Sequence, residues 1–108
     1  MYDCTLALSP RLTLSFHTQG GEIYWEYRSY APQGSYALAQ RFAAASGYAV
    51  ANVPYDSGFA GYKDWVIDAL RTNAFTVEAG RGTNPLPLSD LESLYAENEG
   101  IFAAALTP

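Results

Sequence analysis

The sequence is poor in the residues that build covalent or metal frameworks. Its 108 residues include one cysteine, Cys4, and one histidine, His17. A single cysteine excludes both a disulfide framework within the chain and a multi-cysteine zinc site. No apolar run reaches the roughly 18 residues that a membrane-spanning helix needs. The first ten residues, MYDCTLALSP, lack the basic region followed by an apolar stretch that marks a signal peptide. We therefore expect a soluble, folded domain.

Charge is also scarce, and most of it is negative. Charged residues make up 16% of the chain, against about 25% in a typical soluble domain. Six Lys and Arg oppose 11 Asp and Glu, which gives a net charge of −5. This balance excludes a nucleic-acid-binding protein that works by neutralising phosphates, because such proteins need a basic surface. The apolar share of 49% supplies a core for one domain over residues 1–108.

The apolar pattern alternates between strand and helix signals. Segment 11–17, RLTLSFH, alternates polar and apolar residues, and segment 74–79, AFTVEA, is β-branched and aromatic, as in a buried strand. Shorter strands are predicted at 23–27 and 48–53. Spacing and capping signals favour three helices, over 35–45 with Ser35 as N-cap, over 62–71, and from a Ser89–Glu92 capping box to the end. This order predicts an α/β fold with helices layered on a sheet.

Three or four short strands leave the predicted sheet with unpaired edges. AFTVEA has the character of a central strand, so a complete domain would have further strands beside it. We therefore expect the chain to be the second half of a larger α/β domain. An exposed apolar edge recruits another chain, so we also expect a homo-oligomer when the chain is isolated.

Two residues stand out as candidates for chemistry. His17 ends the first strand just before a glycine pair, and Glu78 lies within an otherwise apolar strand, where a carboxylate is costly unless it is paired or bound to metal. Two structural interpretations compete with a catalytic one: a hydrogen-bonded histidine at a strand end, and a glutamate facing solvent on an edge strand. The functional interpretation places both residues at the carboxyl ends of neighbouring strands, where open α/β sheets carry their sites.

Four segments in register resemble the zinc carboxypeptidase family. They are FHTQGGEIYW at 16–25, SGY at 46–48, PYDSGFAGYKDW at 54–65 and FTVEAGRGTNPLP at 75–87. The chain is most similar to the bacterial γ-D-glutamyl-L-diamino acid endopeptidases, which cut peptidoglycan stem peptides. The resemblance runs from about residue 8 to 106 and implies the C-terminal third of a catalytic domain. The implied fold is a partial three-layer α/β/α mixed sheet.

The resemblance implies a role for each of five residues. His17 matches a zinc ligand, and Glu78 matches the catalytic glutamate that activates water and passes its proton to the leaving amine. Tyr55 matches a substrate-binding tyrosine, with Tyr62 a weaker match; otherwise Tyr55 is an ordinary loop tyrosine. Asp64 falls where the family lines its specificity pocket, or else it is a helix first-turn acid. Arg81 either meets a substrate carboxylate or is a solvated loop residue.

The chain lacks the family's first two zinc ligands, which lie in an upstream His-x-x-Glu motif. A catalytic zinc needs three protein ligands, so we expect the isolated chain to be inactive. The function implied is that of a fragment of a zinc metallopeptidase, acting on peptide C-termini or γ-D-glutamyl amide bonds in murein peptides. Its implied partners are that substrate and the missing N-terminal part of the domain. The alternatives are a non-catalytic remnant or binding module of the same fold, and an independent α/β domain. Localisation stays open between the cytoplasm and the cell wall.

Overall fold

The computed structural model describes residues 1–54 and 60–107 as four helices and a four-stranded mixed sheet. The helices are α1 (Tyr2–Leu8), α2 (Ser35–Ser46), α3 (Tyr62–Trp65), which continues as a π-helical turn over Val66–Leu70, and α4 (Leu91–Leu106). The strands are β1 (Leu12–His17), β2 (Glu22–Tyr24), β3 (Ala49–Ala51) and β4 (Asn73–Glu78). The predicted α/β fold is confirmed. None of the described helices is long and apolar enough to cross a membrane.

Strand β4 lies inside the sheet, as the AFTVEA segment predicts. The strand order is β1-β4-β2-β3, with β1 parallel to β4, β2 antiparallel to β4, and β3 parallel to β2. Within the described residues, β1 and β3 are therefore the edges. The order places β4 between the two segments that carry His17 and Glu22.

The sheet has a different layer on each face. Helices α2 and α4 cover one face, where Phe42 and Phe75 meet edge to face with ring centroids 5.1 Å apart. Fully buried Ile23, Val77 and Ile101 complete this core. On the opposite face, the helical segment 62–70 packs a smaller cluster against β4. Because β1 and β4 are parallel, their carboxyl ends lie together at one end of the sheet.

Two predicted helix ends differ in their capping. Gly34 precedes α2, and the Ser35 hydroxyl instead hydrogen-bonds the Asn73 side chain, so Ser35 is the first helical residue rather than the N-cap. The predicted capping box at Ser89–Glu92 is wrong. A 3-10 turn, Leu88–Asp90, leads into α4, and the Asp90 backbone is already helical (φ −85°, ψ −5°). An N-cap residue needs extended backbone to turn its side chain onto the helix, so no side-chain cap forms here.

Candidate functional site

His17 and Glu78 lie side by side at the end of the sheet. They are register partners on parallel strands β1 and β4, and the Ala79 amide donates to the His17 carbonyl at 2.7 Å. Parallel neighbours in register point their side chains to the same face, with strands about 5 Å apart. The proximity expected from the sequence is therefore present. The roles of the two residues stay predictions.

A cavity of about 1040 Å³ opens on the face that carries both side chains. Its wall includes His17 and Glu78, together with Tyr24 from β2 and the Lys63–Asp64 pair from α3. The rest of the wall is mainly apolar, with Met1, Leu14 and Phe16 among its larger residues. A single concave site thus brings an imidazole, two carboxyl groups, two phenols and an ammonium together.

The glycine pair after β1 connects this end of the sheet to the end of β4 by backbone hydrogen bonds. The Gly20 amide donates to the Gly80 carbonyl at 2.8 Å, and the Gly21 amide donates to the Glu78 carbonyl at 2.7 Å. Gly21 has φ +64°, and a Cβ there would lie 2.9 Å from the Arg81 Nε atom. Glycine adopts this positive φ at the least cost, whereas the Arg81 guanidinium is the end of a flexible side chain that can move aside. The GG dipeptide therefore helps to hold the Glu78 backbone in place.

Glu22 and Tyr24 are site residues that the sequence analysis missed. Glu22 is the cross-strand partner of Glu78, and the Tyr24 hydroxyl donates to Glu22 Oε2 at 2.7 Å. This hydrogen bond is the largest cause that raises the pKa of Tyr24 to about 12, followed by burial and by the negative charges of Glu22 and Glu78. Residues 22 and 24 share one face of a strand, but no local signal indicates that β4 pairs with this strand and brings Glu78 beside them.

Asp64 lies at the cavity wall, but its carboxylate is already fully engaged. Its Oδ1 atom accepts from Lys63 Nζ at 2.5 Å, and its Oδ2 atom accepts from the Gly61 amide at 3.1 Å. The two side chains of the ion pair are only 4% and 6% exposed. Lys63 also donates to the Glu26 carbonyl at 2.6 Å, which ties α3 to the segment after β2. The hydrogen bond to Gly61 matches the helix first-turn interpretation of Asp64, and Lys63 was missed.

Arg81 points away from the cavity. Its guanidinium donates to the Gly47 carbonyl at 3.2 Å and lies 5.5 Å from the centre of the Tyr48 ring. The Tyr48 hydroxyl in turn donates to Glu97 Oε2 at 2.7 Å and accepts from the Gly80 amide at 3.2 Å. Burial is the main cause that raises the pKa of Tyr48. The structure thus places Arg81 against the end of α2, apart from His17 and Glu78.

The two tyrosine candidates have different outcomes. Tyr55 lies outside the described residues. Tyr62, the weaker candidate, lines the cavity, and its hydroxyl shares a 2.7 Å hydrogen bond with Thr5 Oγ1 of α1. Its ring lies beside Trp65, with centroids 6.0 Å apart. Tyr62 therefore already has two contacts within the protein, the Thr5 hydroxyl and the Trp65 ring.

The side chains at this end of the sheet could supply one part of a metal site. His17 offers an exposed imidazole beside a carboxylate, which suits a single zinc ligand next to a base. In residues 1–54 and 60–107, no group of three or more His, Cys, Asp or Glu side chains could hold a metal ion. A complete ligand set is therefore not present in this part of the chain.

Comparison with known proteins finds a peptidase among those to which the chain is similar. The chain is 42% identical to γ-D-glutamyl-L-diamino acid endopeptidase 1 of Lysinibacillus sphaericus, over 98% of this chain and 26% of that protein. It is 37% identical to the uncharacterized protein YqgT of Bacillus subtilis, over 98% of this chain and 28% of that protein. The chain thus spans about a quarter of the length of these curated relatives. No family model matches it.

The fold agrees with this relationship. Carboxypeptidase A from Helicoverpa armigera superposes with a TM-score of 0.65 at 19% identity, over 88% of this chain and 29% of that chain. This likeness concerns the fold alone. Together with the endopeptidase match, it confirms that the chain resembles the C-terminal part of a zinc carboxypeptidase-like domain.

Proposed function

We propose that this chain forms the C-terminal part of the catalytic domain of a zinc-dependent peptidase. The observation that carries the proposal is the pairing of His17 with Glu78 at the carboxyl ends of two parallel strands, on the wall of one cavity. In this proposal His17 is a zinc ligand and Glu78 is the general base. The remaining ligands come from an upstream His-x-x-Glu segment, because the described residues hold no complete set.

Each residue has a defined task in amide hydrolysis. The Glu78 carboxylate accepts a proton from the attacking water and passes it to the amine as the carbon–nitrogen bond breaks. His17 offers a neutral imidazole nitrogen to the metal. The zinc, when bound, would polarise the scissile carbonyl as a Lewis acid. The hydrogen bonds of the Gly20–Gly21 pair to β4 keep the Glu78 backbone fixed during these steps.

The substrate we propose is a peptide with a γ-D-glutamyl amide bond to a diamino acid, as in murein stem peptides. The 42% identity to the Lysinibacillus endopeptidase supports it over a plain peptide C-terminus. Asp64 and Lys63 form part of the pocket wall, and Tyr55 closes over the substrate. Because Arg81 is engaged at Gly47, its role at a substrate carboxylate requires a change of side-chain conformation.

A second candidate function is a non-catalytic module that keeps the fold without the metal. The observation that favours it is the lack of a three-ligand group among the described residues. The two functions differ in one respect: only the peptidase turns over substrate when the upstream ligands are supplied.

A chimera tests the proposal. This chain replaces the matching segment of the Lysinibacillus endopeptidase, and zinc content, folding and hydrolysis of a γ-D-glutamyl-L-diamino acid peptide are measured. Glu78→Gln should keep the zinc and lose about 10²–10⁴-fold in kcat, because an amide accepts no proton from water. His17→Ala should lose the zinc itself. Glu92→Gln, an exposed change on α4, is the matched control and should leave both readouts unchanged.

Two outcomes would contradict the proposal. A folded, zinc-loaded Glu78→Gln chimera with near-normal kcat would reduce Glu78 to a structural carboxylate. A folded chimera that binds zinc and shows no turnover with the original Glu78 would favour the non-catalytic module.

A further inference from the structure

The backbone that follows Glu78 leaves the sheet in a sharp turn. Strand β4 ends at Glu78, and Gly80 has φ +77°, a conformation that takes the chain out of the extended strand direction. The next regular element begins only at Leu88. The ladder to β1 and β2 holds β4 itself, but a strand end beside an irregular segment is the part that opens first. The orientation of the Glu78 side chain therefore depends in part on what holds Gly80.

The Gly80 backbone is hydrogen-bonded at both of its polar groups. Its carbonyl accepts from the Gly20 amide at 2.8 Å, and its amide donates to the Tyr48 hydroxyl at 3.2 Å. Gly80 is buried and Tyr48 is only 3% exposed, so water has little access to either bond. Loss of the Tyr48 hydroxyl would leave a buried donor unpaired, which is costly.

Helix α4 orients the Tyr48 hydroxyl. The hydroxyl donates to Glu97 Oε2 at 2.7 Å and accepts from Asn98 Nδ2 at 3.1 Å. With the bond from Gly80, its one hydrogen and both of its lone pairs are in use. Asn98 Nδ2 also donates to the Leu94 carbonyl at 2.7 Å, whereas Asn98 Oδ1 is buried without a partner in the described residues. The buried amide is thus held for its donors, and hydrogen bonds run from α4 through Tyr48 to the turn after Glu78.

We propose that Tyr48 is a positioning residue: its hydroxyl connects α4 to the end of β4 and so keeps the Glu78 carboxylate in place. This inference rests on the proposed function, in which Glu78 is the general base. A general base must lie within hydrogen-bond distance of the proton that it takes, and a displacement of about 1 Å can cost about 10²-fold in rate. Tyr48 lies outside the cavity wall, so it acts through Gly80 rather than on the substrate.

Hydrogen exchange tests the connection without any turnover, in the folded chimera and resolved to single amides by mass spectrometry. Tyr48→Phe removes the hydroxyl and keeps the ring, so the Gly80 amide should exchange about tenfold faster. The Gly21 amide, which donates to the Glu78 carbonyl, should also exchange faster, because the strand end loosens with the turn. The Gly47 amide in the C-cap of α2 is the reference and should change much less.

The kinetics of the same chimera test the effect on Glu78. Tyr48→Phe should lower kcat about tenfold, with KM and zinc content unchanged, because the contacts with substrate and metal stay intact. Ala39→Gly is the matched control. It lowers stability within α2 at a fully buried position away from the cavity wall, so it should keep kcat. A purely structural role of Tyr48 would make the two variants alike.

A double-mutant cycle tests the connection to α4. Glu97→Ala removes the acceptor of the Tyr48 hydroxyl and should lower kcat severalfold, whereas Glu97→Gln keeps an acceptor oxygen and should restore most of the activity. Glu97→Ala added to Tyr48→Phe should cause no further loss, because no hydroxyl is left for residue 97 to hold. Glu99→Ala, at an exposed position on α4, should leave kcat unchanged.

Three results would contradict the positioning role. They are an unchanged kcat in a folded, active Tyr48→Phe chimera, losses from Tyr48→Phe and Glu97→Ala that add in full, and faster exchange at Gly80 with no change at Gly21. The last result would show that the hydroxyl satisfies one donor without holding the strand end. A chimera with Tyr48 in place that folds, binds zinc and shows no turnover contradicts the proposed peptidase function instead, and the exchange at Gly21 then decides whether Tyr48 holds the strand end.

Discussion

At the scale of single residues, the cavity wall is built from side chains that hold one another. Tyr24 is hydrogen-bonded to Glu22, and Asp64 is bonded to Lys63 and Gly61. These bonds fix polar groups on the same cavity wall as Glu78, and the proposed peptidase function would need such preorganised groups. Each bond also has a measurable consequence.

The first consequence is the ionisation of Tyr24. Because its pKa is about 12 in the folded state and about 10 in an unfolded chain, the folded state holds this proton more tightly. The stability it contributes is complete below pH 10 and is lost as pH rises through 12. Titration of tyrosinate absorbance should show one group near pH 12 that Tyr24→Phe removes. Glu22→Gln should lower that pKa, whereas exposed Glu92→Gln should not.

The second consequence is the cost of breaking the Lys63–Asp64 pair. Asp64→Ala leaves a buried ammonium without its carboxylate, so we expect a loss of about 3–5 kcal/mol in the free energy of unfolding. Asp68→Ala, on the exposed side of the same helical segment, should change it by less than about 0.5 kcal/mol. Urea unfolding measures both. Equal midpoints for the two variants would show that the pair contributes nothing to stability.

At the scale of elements, the contact between α2 and α4 depends on one glycine. A Cβ at Gly100 would lie 2.6 Å from the Ala45 carbonyl oxygen and 3.2 Å from the Ala45 Cβ atom. The backbone of α2 cannot yield at this point as a flexible side chain would. The two helices therefore approach closely at a position where helix propensity alone would favour alanine.

Gly100→Ala separates packing from propensity. Alanine gains about 1 kcal/mol of helix propensity, but overpacking costs about 1–3 kcal/mol, so we expect no gain and a net loss of up to about 2 kcal/mol. Thermal or urea unfolding measures the sign. Glu99→Ala, an exposed neighbour on α4, is the control for propensity without contact. A clear gain from Gly100→Ala would show that the helices separate at little cost.

At the scale of the whole molecule, the described residues supply only part of the proposed zinc site. His17 is the only histidine, and the described residues contain no three-ligand group. We therefore predict that the isolated 108-residue chain binds zinc weakly and shows no peptidase activity. Titration calorimetry measures the affinity, with His17→Ala as the comparison. Micromolar or tighter binding that His17→Ala abolishes would reveal ligands outside the described set.

The sequence predicted the elements well because their signals are local. Alternation in RLTLSFH and the β-branched run in AFTVEA depend only on neighbours along the chain, and β1 and β4 lie where these signals place them. The motif match from residue 16 to 87 likewise indicated the resemblance to the zinc carboxypeptidase family that the comparisons support. The helix stop at Gly47, with φ +80°, is another local signal.

The site was predictable only in part. His17 and Glu78 stood out because each is an ionisable residue at the end of an apolar strand. Glu22, Tyr24 and Lys63 did not, because their importance comes from neighbours that only strand pairing or helix packing supplies. For Arg81 the sequence left two interpretations, a contact with a substrate carboxylate or a solvated loop residue, and in the fold its guanidinium donates to the Gly47 carbonyl.

Taken by itself, then, the amino-acid sequence determined the order of the four strands and of helices α2 to α4, the acidic character and the resemblance to a peptidase family, whereas helix α1 was not predicted. Tertiary structure alone decided that β4 separates β1 from β2, that Glu22 faces Glu78, and that Asp64 is buried with Lys63. The physical reason is the range of the interactions. Propensity, alternation and turn chemistry act over a few residues, whereas register, burial and charge pairing join residues that are far apart in the chain.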